Sequence, residues 1–467
     1  MARFDSFHTH THQYTHKLPS TSTQVSKRTV STVNCQHTNE YINHPNHPLD
    51  QIVYPQSFGR GDMRYVIHMM RNLVALSSSS CLCLLVEALR PVVIPILFDS
   101  TNHLHRDRYP HPETFERIDA CVNILEPCSH VQLMDVATRR DVVSQHVHVS
   151  VVPSEEEIFH NSIQHVPFTE EELAHAQEML LQAHSQEYVE ALESTSASQE
   201  EEGATSTLEF LDNVDHDTYL TNQSYNVCLR ATAAWIACVD KVMNATKEGD
   251  SYSKCAMALT RPPGHHATSI LPNGFCLLNF GAAAAIHAAT SESAYCVSIL
   301  DWDVHYGQGI ADIVQSLPTV RYCSMHQVPA FPYQGQTRGL LGRYENVLNV
   351  PMAPDSSWTC GYQSKFQSLV LPFCITQGEW EPDLVIVCAG YDALAGDELA
   401  SCNLVAKDYG TMTRLIRERI ASTYKGKNGK VGLMVGLEGG YQLKDVPGGN
   451  LADAVFETVK ELANSMN

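Results

Sequence analysis

No CxxC motif occurs in the sequence, and its 15 cysteines follow no regular spacing. Secreted scaffolds that are held together by disulfides are short and carry regularly spaced cysteines, so this pattern argues against one. The chain has 467 residues, 43 % of them hydrophobic, and is long enough to bury a substantial core without such bridges. We therefore expect a reducing compartment: the cytoplasm, the nucleus or both.

Basic residues are also scarce. Lys and Arg number 31 against 52 Asp and Glu, which gives a net charge of −21. A surface this acidic argues against direct binding to nucleic acid and to anionic membranes. The only basic cluster, residues 425–430, is too sparse for a nuclear signal. The negative charge either serves solubility alone or attracts basic substrates such as lysine-rich peptides and polyamines.

The N-terminal region lacks an apolar run long enough to span a bilayer. Its most apolar stretch, Leu73–Val86, is short and bracketed by charged residues. Residues 1–20 are polar and rich in His and Thr, unlike a secretory signal. A composition rich in His, Thr and Ser does not build a packed core. We predict a partly disordered extension over residues 1–91, followed by one domain over residues 92–467.

Short apolar runs dominate the rest of the chain. A β-like run occupies 92–99, and five further runs cover 255–259, 295–300, 320–325, 384–389 and 431–437. Runs that are apolar at consecutive positions are typical of parallel strands buried on both faces. Helical segments are predicted at 112–125, 170–192 and 223–242, with Glu113, Glu116 and Arg117 on the polar face of the first. The sequence predicts an α/β domain with an open, mostly parallel sheet.

Polar or glycine-rich segments follow four of these runs. They are RPPGHHA at 261–267, DWDVHYGQG at 301–309, GYDALAGD at 390–397 and EGGY at 438–441. Ligands of open α/β sheets bind outside the carboxyl ends of the strands. We therefore expect the four segments to converge on one site.

Two of these segments contain candidate metal ligands. Asp303 and His305 are two residues apart, so on extended backbone they face the same side, and Asp301 shares that phase. Asp392, just beyond another strand end, is the candidate third ligand. Two carboxylates and one imidazole leave a coordination position open for water, as in catalytic zinc sites. An Asp-x-His pair alone is a weak signal, because buried pairs of this kind are more often structural.

Adjacent histidines, His265 and His266, follow a Pro-Pro-Gly turn. Histidine is the usual proton carrier near neutral pH, and each ring needs an orienting partner on its far nitrogen. Asp301 is a candidate partner for one ring and Gln308 for the other. A neutral amide raises the pKa of an imidazole less than a carboxylate does. A pair of structural loop histidines is the alternative.

Tyr441 follows two glycines that permit close approach of the backbone to a ligand. Its phenol hydroxyl can donate to a polarised carbonyl oxygen. A metal-activated water, a histidine base and this donor together predict amide hydrolysis.

Eight stretches resemble the histone deacetylase family, and class II members most closely. They cover about residues 92–460 in the order in which the family has them. The stretches are HPETFERI (111–118), HSQEYVEAL (184–192), RPPGHHA (261–267), NGFCLLNF (273–280), LDWDVHYGQG (300–309), SMHQ (324–327), CAGYDALAGD (388–397) and LEGGYQL (437–443). The resemblance implies the arginase/deacetylase α/β fold, with a central, mostly parallel sheet of about eight strands flanked by helices.

The resemblance also implies a zinc-dependent hydrolase that releases acetate from N6-acetyl-lysine in histones or other proteins. Its ligands would include hydroxamate-type inhibitors. His266 would be the general base, oriented by Gln308, and His265 its electrostatic partner, hydrogen-bonded to Asp301. Tyr441 would stabilise the oxyanion. Catalytic Zn²⁺ would be bound by Asp303, His305 and Asp392.

Further residues acquire roles by the same resemblance. Phe275 and Phe331 would form the aromatic walls of an acyl-lysine tunnel, with Gly274 as its backbone lining and Leu399 as its gatekeeper. A structural K⁺ would be bound, largely through main-chain oxygens, by Asp301, Asp303, His305, Ser324 and Met325.

Three positions depart from the family pattern. Gln308 stands where class I enzymes carry aspartate and class II enzymes usually asparagine, and Tyr306 replaces a common histidine. Glu398 replaces a common proline. Leu399 favours acyl-lysine, whereas Glu398 and the acidic surface keep an acetylpolyamine or other small-amine deacetylase as an alternative. A catalytically dead acyl-lysine reader is a further alternative. A binuclear manganese hydrolase would need another aspartate cluster.

Overall fold

The computed structural model describes residues 93–106, 110–137, 163–199, 206–207, 217–248, 254–291, 294–376, 380–423 and 431–464. The chain divides into two compact units, Met1–Ser77 and Ser78–Asn467, and all described residues belong to the second. The predicted extension and its boundary at residue 91 lie outside the described residues and stay predictions.

A ten-stranded sheet forms the centre of the second unit. In spatial order the strands are β3, β2, β1, β6, β12, β11, β7, β8, β10 and β9. Every neighbouring pair is parallel except β9 with β10. The strand bounds are β1 Ile94–Phe98, β2 Val131–Asp135, β3 Gln164–His165, β6 Cys255–Leu259, β7 Val297–Asp301, β8 Val320–Gln327, β9 Gly339–Leu341, β10 Val347–Met352, β11 Leu384–Ala389 and β12 Gly432–Leu437. Strands β4 (Ser206–Thr207) and β5 (Tyr219–Leu220) form a separate antiparallel pair.

Helices cover both faces of the sheet. Their bounds are α1 Glu116–Leu125, α2 Glu170–Ala183, α3 Gln186–Ala197, α4 Ser224–Glu248, α5 Phe280–Thr290, α6 Gln308–Val314, α7 Tyr362–Lys365, α8 Leu371–Cys374, α9 Ala406–Thr423 and α10 Leu451–Ala463. A 3-10 helix spans Ser100–Leu104, and a π-helical segment, Phe366–Val370, joins α7 to α8. None of the described helices combines the length and the apolar character needed to cross a membrane.

Two hydrophobic cores lie on opposite faces of the sheet. The alternating side chains of β11 show the division, since Leu384 and Ile386 belong to one core and Val385 and Val387 to the other. Helices α2, α4, α5 and α6 cover the first core. Helices α1, α9, α10 and the segment 362–374 cover the second. Burial on both faces explains why the strands are apolar at consecutive positions.

The predicted α/β class and mostly parallel sheet are confirmed. The five apolar runs of the C-terminal half coincide with β6, β7, β8, β11 and β12, with ends shifted by at most two residues. The run at 92–99 contains β1. The helical segment predicted at 170–192 is two helices, because the chain leaves helical geometry at His184 and Ser185 caps α3 through its side chain.

One expectation about α1 is wrong. Glu113 and Arg117 were expected on a polar face, but both are fully buried. The Arg117 guanidinium donates to the carbonyl oxygens of Glu438 and Gly440, and it forms an ion pair with Glu113 at 3.2 Å. Arg261 pairs with the same carboxylate from the other side. Buried charges are tolerated when they are paired and hydrogen-bonded in this way.

Candidate active site

The four polar segments follow four adjacent strands. In spatial order these are β6, β12, β11 and β7, all parallel, so their carboxyl ends lie at one edge of the sheet. A pocket of about 180 Å³ opens there. The lining residues are Asp217, His265, His266, Gly274, Phe275, His305, Phe331, Leu399 and Tyr441. The expected convergence on one site is therefore observed.

The predicted metal ligands form one cluster. Asp303, His305 and Asp392 are buried, and one ligand atom from each lies within 4.8 Å of the others. His305 Nδ1 is 2.9 Å from an Asp392 oxygen and 3.2 Å from an Asp303 oxygen. No other such group of three His, Cys, Asp or Glu side chains occurs among the residues that the structure describes.

The backbone around this cluster is not an extended strand, because β7 ends at Asp301. Instead, Asp301 accepts a hydrogen bond from the N–H of Asp303, and Asp303 accepts one from the N–H of His305. Side-chain bonds to a backbone N–H two residues ahead are typical of Asx turns. These turns, rather than the strand alternation inferred from sequence, bring the alternate side chains to one side.

Main-chain donors hold the two carboxylates. Gly439 N–H donates to Asp303 and Val304 N–H donates to Asp392. A Cβ atom at Gly439 would lie 2.5 Å from an oxygen of each aspartate, and one at Gly390 would lie 2.0 Å from Asp303. Both positions therefore require glycine if the carboxylates are to stay where they are.

The electrostatics of the cluster suit a cation. Burial opposes charge on His305, yet the Asp392 and Asp303 carboxylates raise its pKa well above the ordinary value. Burial and the nearby Asp303 raise the pKa of Asp392 to about 7. Two buried carboxylates and an imidazole form a donor set that fits a divalent metal such as zinc, with room left for another ligand.

His265 is the charged member of the histidine pair. Its Nδ1 lies 3.1 Å from Asp301, and its Nε2 lies 3.7 Å from Asp303. Burial opposes protonation, but these carboxylates raise the pKa of His265 to about 10. The Tyr322 hydroxyl also donates to Asp301 and helps to fix the carboxylate that orients the ring.

His266 is the neutral member. Its Nδ1 lies 2.6 Å from Gln308 Oε1, and the Gln308 amide donates to the His266 carbonyl oxygen. An amide oxygen only accepts, so Nδ1 carries the proton and Nε2 is the acceptor nitrogen. Burial and the charge on His265 lower the pKa of His266 well below the ordinary value. The His265 and His266 rings are tilted by 43° with centroids 4.0 Å apart, and the His266 ring centroid lies 6.1 Å from that of His305.

Tyr441 lines the same pocket as the two histidines. Its backbone N–H donates to Asp397, its ring packs edge-on against Phe275, and the Arg117 guanidinium lies 4.8 Å from the ring centre. Burial raises the pKa of Tyr441 well above its ordinary value, although Arg117 opposes this. The hydroxyl therefore stays protonated and can donate.

The predicted walls line the same pocket. Phe331 packs edge-on against His266, with centroids 5.0 Å apart. A Cβ atom at Gly274 would lie 2.5 Å from the His266 ring, so only glycine allows this approach. Leu399 is 37 % exposed, as expected of a residue at the mouth. Glu398 is exposed and does not line the pocket.

Three of the five residues predicted to bind K⁺ are neighbours in the sheet, whereas Asp303 and His305 follow the end of β7. Asp301 of β7 is in register with Ser324 of β8, and Met325 follows. Ser324 Oγ lies 2.9 Å from His326 Nδ1. Binding of K⁺ through main-chain oxygens stays a prediction.

Sequence reasoning missed several residues that shape the site. Asp217 lines the pocket, and the following Thr218 accepts a hydrogen bond from the N–H of Phe275. Asp397 accepts hydrogen bonds from the N–H groups of Leu399 and Tyr441. Asp397 had a usable signal, because it ends the GYDALAGD segment. Asp217 lies in no segment that the sequence singled out.

Comparisons with known proteins agree with the geometry. The model of the histone deacetylase domain matches residues 111–458. An uncharacterized protein of Synechocystis is 40 % identical over 283 residues, which are 61 % of this chain and 81 % of the relative. The polyamine deacetylase HDAC10 of Danio rerio is 32 % identical over 61 % of this chain and 39 % of its own length.

A solved structure shares the fold. The HDA15 HD domain superposes with a TM-score of 0.58 at 25 % identity, covering 79 % of this chain and 91 % of that domain. The arginase/deacetylase fold expected from the sequence is therefore confirmed. Since the domain model covers well over half of the sequence, the chain belongs to the histone deacetylase family.

Proposed function

We propose that the protein is a zinc-dependent deacetylase that hydrolyses the acetyl amide of N6-acetyl-lysine in proteins and releases acetate. One observation carries the proposal: a single pocket contains the histidine pair and Tyr441 beside the Asp303, His305 and Asp392 cluster. Membership of the family supports amide hydrolysis, and the geometry supports a proposed task for each residue.

Asp303, His305 and Asp392 would hold the zinc ion. When bound, zinc polarises the substrate carbonyl and lowers the pKa of a coordinated water. Gly390 and Gly439 leave space for the carboxylates in this arrangement.

His266 carries the proton. Because Gln308 holds Nδ1–H, Nε2 accepts the proton of the attacking water and then delivers it to the departing lysine amine. The charged neighbour His265 keeps the pKa of His266 low, so the base is unprotonated at neutral pH. Asp301 keeps His265 in the orientation that this requires.

Tyr441 donates a hydrogen bond to the carbonyl oxygen as negative charge develops on it. Its high pKa keeps the hydroxyl protonated through the reaction. Phe275 and Phe331 enclose the methylene chain of the substrate in a narrow apolar passage, which excludes water from the site.

An acetylpolyamine deacetylase is the second candidate. The similarity to a polyamine deacetylase, the net charge of −21 and the exposed Glu398 near the mouth favour it. Leu399 at the mouth favours acetyl-lysine instead, because an apolar side chain offers no counter-charge to a second ammonium group.

The remaining expectations form part of the proposal. A class II-like enzyme would act on histones or other acetylated proteins, with a role in chromatin regulation, in the cytoplasm, the nucleus or both. Hydroxamates would bind the zinc site. A structural K⁺ would lie near Asp301 and Ser324.

The deciding experiment measures acetate release by zinc-loaded protein from an acetyl-lysine peptide and from acetylspermidine. A higher kcat/KM on the peptide supports the first candidate, and the reverse ratio selects the second. Tyr441→Phe should lower kcat by about 10²–10³-fold. Tyr295→Phe is the matched control, since Tyr295 is 78 % exposed and precedes β7 at the opposite end of the sheet. Absence of turnover on both substrates would refute the proposal.

A further inference from the structure

Glu438 is a buried carboxylate at the centre of the site that neither lines the pocket nor belongs to the metal cluster. It directly follows β12 and is 0 % exposed. Glu438 belongs to the EGGY segment and takes no part in the proton transfers proposed for His266 and Tyr441.

The side chain of Glu438 holds the loop that carries the histidine pair. One carboxylate oxygen accepts hydrogen bonds from the N–H of Gly264 at 2.6 Å and from the N–H of His265 at 3.1 Å. Hydrogen bonds from backbone N–H groups to a carboxylate are short and strong. The backbone of the residue before His266 is therefore fixed relative to β12.

The backbone of Glu438 belongs to the loop that carries Tyr441. Its carbonyl oxygen accepts from Arg117, which also donates to Gly440 O at 2.8 Å and stacks on the ring of Tyr441. One residue thus connects the loop of the proton carriers to the loop of the tyrosine.

Stability alone explains this residue poorly. The second carboxylate oxygen of Glu438 is buried, and its neighbour is the weak donor thiol of Cys388, whose pKa is raised by burial and by Glu438. A buried carboxylate with a weakly paired oxygen costs free energy. What Glu438 provides is a fixed position for the backbone N–H groups of Gly264 and His265.

We propose that Glu438 is a positioning residue for proton transfer, which holds the His265–His266 pair in register with the metal cluster and Tyr441. The inference rests on the proposed deacetylase function. It acts through geometry: His265 and His266 are consecutive residues whose tilted rings lie 4.0 Å apart between centroids, so a shift of the His265 backbone moves both.

Three variants at one position test the role. Glu438→Ala removes the carboxylate, and Glu438→Asp leaves it one methylene too short to reach the N–H groups. In both variants kcat should fall by about 10²-fold, because small displacements of catalytic groups have such effects. KM and bound zinc should stay at wild-type values. Glu438→Gln keeps an oxygen at the same distance and should lose only about five-fold, since a neutral acceptor binds the N–H groups more weakly.

A matched control exists at the end of β2, three strands away from β12 in the sheet. Asp135 is also a buried carboxylate at a strand end, and one of its oxygens accepts from the N–H groups of Ser100 and Ala137. Asp135→Ala removes the same kind of contact away from the site. It should lower the free energy of unfolding and leave kcat at the wild-type value.

A second measurement is independent of turnover. The proton shared by His265 Nδ1 and Asp301 should give a strongly deshielded NMR signal, which Glu438→Gln retains and Glu438→Ala and Glu438→Asp shift or lose. Wild-type kcat in Glu438→Ala, an unshifted signal there, or a loss in Glu438→Gln as large as in Glu438→Ala would overturn the inference. If the wild type turns over neither substrate, the proposed function fails, and the NMR comparison still decides whether Glu438 positions the pair.

Discussion

Replacing Gln308 by Glu should move the pH dependence of catalysis. In the structure, the amide oxygen of Gln308 lies 2.6 Å from His266 Nδ1, and the amide nitrogen donates to the His266 carbonyl oxygen. A carboxylate in the same position would place a negative charge against the ring. Because that charge favours the imidazolium form, the pKa of His266 should rise.

The separation between the charge on the imidazolium ring and the charge on the carboxylate, which is longer than the 2.6 Å contact, sets the size of the pKa shift. At an effective dielectric constant of about 20, two unit charges about 4 Å apart attract each other by about 4 kcal/mol. Since one pKa unit corresponds to about 1.4 kcal/mol, the ceiling is a rise of about three units. Burial of the new carboxylate and its coupling to His266 reduce this, so we expect about 1–3 units.

The assay is kcat/KM against pH with an acetyl-lysine peptide. The base must be unprotonated, so the acidic limb of the profile follows its pKa in the free enzyme. In Gln308→Glu this limb should move to higher pH, and activity below the new pKa should fall. Gln308→Asn is the neutral control, which should lower kcat through altered geometry and leave the limb in place. An acidic limb that stays in place or moves to lower pH in Gln308→Glu, with zinc content and fold intact, would show that His266 is not the base.

Three other predictions concern the metal, the core and the buried charges. Chelation should abolish deacetylation, and zinc should restore it in proportion to the metal bound, as metal analysis alongside turnover would show. Gly436→Ala would place a Cβ atom 2.1 Å from the Trp235 ring and should lower the free energy of unfolding by about 1–3 kcal/mol. Gly339→Ala is the control, because no atom lies within 4 Å of its Cβ position, and it should change the free energy of unfolding by less than about 0.5 kcal/mol. Denaturant titrations of both variants measure these changes. Burial opposes ionisation of Glu113, but Arg261 lowers the pKa of Glu113 from 4.5 to about 2. The contribution of the Glu113 carboxylate to stability is therefore complete above pH 4.5 and is lost as the pH falls towards 2. Glu113→Gln should flatten the pH dependence of the free energy of unfolding between these pH values.

The fold was predictable where strands are buried on both faces. The runs that became β6, β11 and β12 are apolar at every position, because helices cover both sides of the central strands. Strands nearer the edges gave a weaker signal. Gln132 interrupts β2, and Asn349 and Pro351 interrupt β10, so neither strand was predicted.

The convergence of the site was predictable for a topological reason. Parallel strands present their carboxyl ends at one edge, so four polar segments after four such strands meet if the strands are adjacent. The order β6, β12, β11 and β7 satisfies this condition. The predicted backbone conformation was wrong, since Asx turns beyond the end of β7, rather than strand alternation, bring Asp303 and His305 together.

Three residues whose roles sequence reasoning missed share a physical property: the side chains of Arg117, Asp397 and Glu438 contact the main chain. Arg117 binds two carbonyl oxygens, and Asp397 and Glu438 each bind two N–H groups. Every residue except proline carries both backbone groups, so the partner leaves no signature in the sequence. A lone Arg or Glu in a sequence therefore predicts a solvated charge, although Arg117 is fully buried.

The same property predicts how the site responds to substitution. A contact between two side chains, such as that of His266 with Gln308, changes with the identity of either partner, so a departure from the family pattern at Gln308 directly alters the base. A contact with the main chain depends on the position of the loop, so Glu438 acts on His265 through the place of its backbone N–H group. A charged side chain at position 308 should therefore change the pH profile, whereas substitutions at Glu438 should change kcat according to the reach of the side chain. The two sets of variants separate the tuning of the base from its placement.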